Sequence, residues 1–100
     1  MEKIQDEIDK MYAGNIDSIL SNVFSKNDFL VFNAILCGSK LNLKNDEFIT
    51  GVKKAQSSEV VFLGYPLKRV AEAALHFLSD KKYTGDDNLV KSLIANKFNV

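Results

Sequence analysis

Asn27-Asp28-Phe29-Leu30-Val31-Phe32-Asn33-Ala34-Ile35-Leu36-Cys37-Gly38 is the stretch on which the fold turns. Ser25, Asn27 and Asp28 can each accept hydrogen bonds from the free N–H groups of a helix start. The eight apolar residues behind them leave no polar stripe, and Gly38 stands where a helix commonly stops. A helix that is apolar nearly all round has to be covered all round. This one is therefore expected at the centre of the molecule, with other helices packed about it.

Those neighbours are written on both sides. Toward the N-terminus, Ile4, Ile8, Met11 and Tyr12 repeat at helical spacing, and Gly14 can close a helix over about 2–13. Asn15 or Asp17 opens a second helix, with Ile16, Ile19, Leu20, Val23 and Phe24 keeping the 3.6-residue period to about Ser25. Toward the C-terminus, Leu41 and Leu43 alternate with polar residues, which reads as an extended loop or a short strand. Asn45 and Asp46 then open a helix with Phe48, Ile49, Val52 and Ala55 on one face. Its acids come first and Lys53 and Lys54 last, as the helix dipole favours, while Gly51 weakens it by about 1 kcal/mol. Val60-Val61-Phe62-Leu63 is β-branched enough for a strand and short enough for a helical turn closed at Gly64. As a strand its natural partner is Leu41 to Leu43. Pro66 presets φ for a first helical turn, and Leu67, Val70, Ala71, Ala74, Leu75 and Leu78 follow to Ser79. After a polar loop, Asp86 or Asp87 caps a last helix carrying Leu89, Val90, Leu93, Ile94 and Phe98.

The pattern predicts one all-α domain over 1–100, a compact bundle of about five to six helices, with a minor strand at 60–63 as the open alternative. Its expected core holds Phe24, Leu30, Val31, Ala34, Ile35, Val52, Val70, Ala74, Leu78, Leu93 and Ile94. Leu, Ile, Val and Phe make up a third of the chain, enough to drive folding. Thirteen Lys and Arg balance thirteen Asp and Glu, so the net field draws neither phosphate backbones nor acidic membranes.

Compartment follows from what the first and the most apolar stretches lack. Residues 1–9 mix charges where a secretory signal needs a basic start and an apolar run. The longest apolar runs fall far short of the roughly 20 residues that span a bilayer. A lone Cys37 inside an apolar run suits a buried thiol in a reducing compartment. The expectation is a cytoplasmic protein with no membrane partner.

The same inventory argues against catalysis. His76 is the only imidazole, and on a helical wheel it falls near Glu72, Ala73 and Asp80, beside the apolar stripe, where it reads as structural or solvent-facing. The paired carboxylates Asp46-Glu47 and Asp86-Asp87 head helices in polar surroundings, so they stay ionised rather than acquiring the raised pKa that acid catalysis uses. The five glycines never cluster into a phosphate loop, and Asp86-Asp87-Asn88 runs straight into Leu89, unlike a calcium loop. No enzyme, cofactor or metal site is expected. Phe29 to Cys37 and Asn45 to Gln56 vaguely resemble a helix-turn-helix with Lys40, Lys44, Lys53 and Lys54 nearby. The would-be recognition helix opens on Asp46 and Glu47, which would face phosphates. Nucleic acid is left unsupported.

What remains is recognition of another protein. Acidic helix starts at Asp28, Asp46, Asp86 and Asp87 would make a negative rim if they met in space, the complement of a cationic surface. Tyr12, Tyr65 and Tyr83 offer apolar area with a polar tip. Asp46, Glu47, Asp86 and Asp87, with Tyr65 or Tyr83, are the candidate contacts. The size, the helix starts, the lack of catalytic residues and a C-terminal half written Gly64-Tyr65-Pro66-Leu67-Lys68-Arg69-Val70-Ala71-Glu72-Ala73-Ala74-Leu75, then Thr84-Gly85-Asp86-Asp87-Asn88-Leu89-Val90, give the chain a further feature. It resembles the small all-helical immunity proteins that bacteria make against contact-dependent inhibition toxins and bacteriocins. That half is also similar in style to a HEAT-type helix pair, although the other helices do not hold the roughly 40-residue period. The resemblance covers the C-terminal 40 residues best, includes no signature motif and transfers no site residue. It implies a cytosolic antidote that occludes the active site of a cognate toxin, usually a nuclease. The alternatives are a small helical adaptor or phage-type inhibitor of another host protein, and a DNA-binding regulator.

Overall fold

The computed structural model describes residues 2–62 and 65–78, side chains at 2, 3, 62, 65 and 77 apart. They form helices α1 (Glu2–Tyr12), α2 (Ile16–Asn22), α3 (Asp28–Lys40), α4 (Asp46–Ala55) and α5 (Leu67–Leu78), with a two-stranded hairpin of β1 (Val61–Phe62) and β2 (Tyr65–Pro66) before α5. The class is all-α. The expected last helix, capped by Asp86 or Asp87 and carrying Leu89, Val90, Leu93, Ile94 and Phe98, lies outside the described residues, as does Leu63.

Asparagines punctuate this chain. Each of α2, α3 and α4 is capped by one: Ser18 N donates to Asn15 Oδ1 at 3.1 Å, Phe29 N to Asn27 Oδ1 at 3.0 Å and Glu47 N to Asn45 Oδ1 at 2.7 Å. Asn15 also ends α1. Gly14 takes a left-handed φ of 91°, its N–H reaches Met11 O, and Asn15 N reaches back to Lys10 O, so one residue closes a helix and opens the next.

As expected, α3 is central. It packs against α1, α2, α4 and α5, and every residue from Leu30 to Ser39 is buried. It does not stop at Gly38, however, but runs to Lys40. A Cβ at Gly38 would drive into the Phe48 ring, 2.9 Å from Cε2 and nearer still to Cζ and Cε1. This glycine is thus a seat for an aromatic rather than a helix end. The end comes two residues later: Asn42 adopts φ 54° and Leu43 N donates to Gly38 O at 2.9 Å. Leu41 to Leu43 is therefore a helix-closing turn, not a strand. The partner of β1 is instead β2, antiparallel, with Val61 opposite Pro66 and Phe62 opposite Tyr65. Leu67 N adds a bond to Val60 O, carrying the hairpin into the first turn of α5.

The opposite happens in α2, which ends early, at Asn22 rather than near Ser25. Asn22 Nδ2 donates to Ser18 O at 2.8 Å and to Glu7 Oε2 at 3.0 Å, tying the last turn of α2 to α1, and Ser25 N closes a tighter turn on Asn22 O. Val23 stays buried, but Phe24 is carried outward and is 43% exposed. The expectation that it joins the core fails for that reason. The described remainder of the expected core is buried, together with Met11, Ile19, Val23, Leu36, Phe48 and Leu67. Gly51 admits α2: a Cβ there would stand 2.6 Å from Val23 Cγ1. None of the described helices is long and apolar enough to cross a membrane.

Candidate functional site

The geometry of α4 separates two jobs that its sequence runs together. Asn45 supplies the capping oxygen, so neither Asp46 nor Glu47 spends its carboxylate on the helix start, and both side chains are exposed in the first turn. Among the described residues no ion pair holds either of them. Two carboxylates at a helix N-terminus gain from the partial positive charge there. They can accept hydrogen bonds from an incoming guanidinium or ammonium group without disturbing the helix that carries them.

The other expected contacts divide. Tyr65 lies on β2, its backbone paired with Phe62. Asp86, Asp87 and Tyr83 lie outside the described residues. Asp28 does not join Asp46. It lines a cleft with Lys54 and Ala55, at the far end of α4 from Asp46, so the starts of α3 and α4 face opposite ends of the bundle. A rim built from both is excluded by this antiparallel packing.

Tyr12 is placed where an anchor would be. The residue is 45% exposed while its hydroxyl donates to Oδ1 of buried Asn33 at 2.9 Å, and Asn33 Nδ2 donates in turn to Phe29 O. Partial burial, and then the neighbouring Cys37 sulfur, push the phenol up to about 12 from its usual 10.0. Beside it, Leu41 is as exposed, and a crevice of about 170 Å³ runs between them to buried Met11 and Cys37.

His76 sits half-buried in the last turn of α5. Among the described residues no group of three His, Cys, Asp or Glu side chains is placed to hold a metal ion. The link between α3 and α4 is the five residues 41–45, shorter than the seven that separate the segments Phe29 to Cys37 and Asn45 to Gln56, and Asp46 and Glu47 remain on the outer surface of the helix that would enter a groove. A second concavity has no pattern of its own in the sequence: a cleft of about 350 Å³ walled by Phe24 and Lys26 on one side and Lys54 on the other. Its residues come from three segments, and their only sequence signal is a phenylalanine two residues before a lysine in a polar link. No protein-family model, curated protein or solved structure matches the chain.

Proposed function

We propose that this chain is a protein-binding antidote, a cytosolic immunity protein that neutralises a cognate bacterial toxin domain, a nuclease, by covering its basic active site. The observation that carries the reading is the exposed Asp46 and Glu47 pair on a helix start already capped by Asn45. A nuclease cleft is lined with cations that grip phosphate, and carboxylates fixed on a rigid helix are their electrostatic substitute. Asp86, Asp87, Tyr65 and Tyr83 complete the proposed contact set.

The test pairs capture with inhibition. Tagged protein is used to capture its partner from native lysate at low and at high salt, and the purified partner is then titrated with wild type and with the D46K/E47K double variant. One stoichiometric partner whose nuclease activity falls to zero at a one-to-one ratio is expected. The double variant should bind about tenfold to a hundredfold more weakly, chiefly through slower association. Unchanged affinity in a variant that keeps its melting temperature would overturn the reading.

The half-exposed Tyr12 and Leu41 flanking an apolar crevice favour a second reading, a helical adaptor that takes partner side chains there. It predicts several weaker partners whose capture depends on Tyr12 and not on Asp46.

A further inference from the structure

The cleft between the end of α2 and the end of α4 has the make-up of a small-molecule site. Its volume of about 350 Å³ lies at the low end of the roughly 300–1,000 Å³ range of ligand pockets. Its depth has a local cause. Gly51 and Ala55 present almost no side chain on this side of α4, and Gly51 cannot be larger because Val23 occupies the place of its Cβ. The floor is accordingly apolar, reaching buried Leu67. One wall is Phe24, the aromatic that the early end of α2 turns outward. The charged groups at the mouth are Lys26, Lys54 and Asp28, a net single positive charge in a chain that is neutral overall. Lys26 and Lys54 are exposed, and no ion pair holds either among the described residues. Of the serine hydroxyls around them, Ser57 Oγ spends its proton on Lys54 O, whereas Ser25 Oγ accepts from Asn27 N and Ser58 Oγ from Val60 N, each keeping its O–H. The two ammonium groups are therefore the charged donors open to a ligand, with the Ser25 and Ser58 O–H groups as neutral ones.

We propose that this cleft binds a small aromatic anion, its ring against Phe24 and the apolar floor and its anionic group between the ammonium groups of Lys26 and Lys54. An apolar floor rewards a flat ring, Phe24 offers an aromatic face or edge to it, and the excess positive charge selects an anion over a neutral or cationic ring. This site is independent of the acidic pair. Residues 46 and 54 are eight positions apart on one helix, about 12 Å along its axis.

Amide chemical-shift mapping of the whole chain tests this. The probes are adenosine 5′-monophosphate and 1-naphthoate, a phosphate and a carboxylate each carried on a ring, with inorganic phosphate and adenosine as the anion and the ring alone. At least one aromatic anion should shift the amides of 24–28 and 51–58 saturably, at least about tenfold more tightly than either control. K26A and K54A should each weaken it by about tenfold, as loss of a charge-assisted hydrogen bond does, with the rest of the spectrum unmoved. Which of the two probes binds distinguishes a nucleotide from an aromatic acid. Absence of saturable shifts with both probes, equal binding of phosphate or adenosine alone, or indifference to both lysine variants would each overturn the proposal.

Discussion

At Gly38 a single methyl group decides whether α3 and α4 can touch. Alanine there would press on the Phe48 ring, so G38A is expected to destabilise the protein by about 1–3 kcal/mol, as overpacking does, despite alanine's better helix propensity. Urea unfolding of G38A, F48L and the double variant checks it. The double variant should be more stable than the sum of the single losses predicts, because leucine gives back room to the new methyl. Tyr12 makes a second prediction at this scale. Its phenol has a folded pKa of about 12 against 10.0, so the stability it contributes is complete below pH 10 and is lost as pH rises from 10 through 12. Chemical denaturation across that window should show a decline that Y12F lacks. At neutral pH the same variant leaves Asn33 Oδ1 buried without its donor, and is expected to cost about 1–3 kcal/mol.

At the scale of the element, the helix starts carry the argument. N27A removes the oxygen that accepts from both Phe29 N and Leu30 N, and should lower stability by about 1 kcal/mol. D46A and E47A remove only a favourable charge near the dipole and should cost a few tenths of a kcal/mol each. A thermal melt of the three variants side by side separates these roles, and equal losses would show that Asp46 shares the capping. These elements were largely legible in the sequence, because 3.6-residue apolar spacing marks α1, α4 and α5, a nearly unbroken apolar run marks α3, and an asparagine stands before α3 and α4. Two boundaries were not. A glycine that ends a helix and one that seats an aromatic are the same letter, so Gly38 read as a stop. Asn22 ends α2 with its own side chain, on Ser18 O and Glu7, and periodicity carries no trace of a side chain turning back on its helix. Phe24 was assigned to the core for want of that bond.

For the molecule as a whole, the buried residues of all five described helices converge on α3, and Phe48 fills the space between α3 and α4. F48A should therefore destabilise by about 3–5 kcal/mol, the usual result of emptying an aromatic site, with all helices lost in one transition rather than α4 alone. Circular dichroism and tyrosine fluorescence followed in the same denaturation check that: two midpoints would show that α4 unfolds separately. The candidate sites were less legible than this core. Asp46 and Glu47 could be named from the sequence because an acidic helix start is a local pattern. The cleft could not, since Phe24, Lys26 and Lys54 meet only after the chain has folded, and the opposition of Asp28 and Asp46 depends on α3 and α4 running antiparallel.

The division of labour at the start of α4 has a consequence for how such a chain can change over generations. Asn45 is held by folding, whereas positions 46 and 47 are held by almost nothing inside the molecule. Substitutions there alter what the surface attracts while leaving the scaffold within a few tenths of a kcal/mol of where it was. Those two letters can therefore change while the asparagine before them stays fixed.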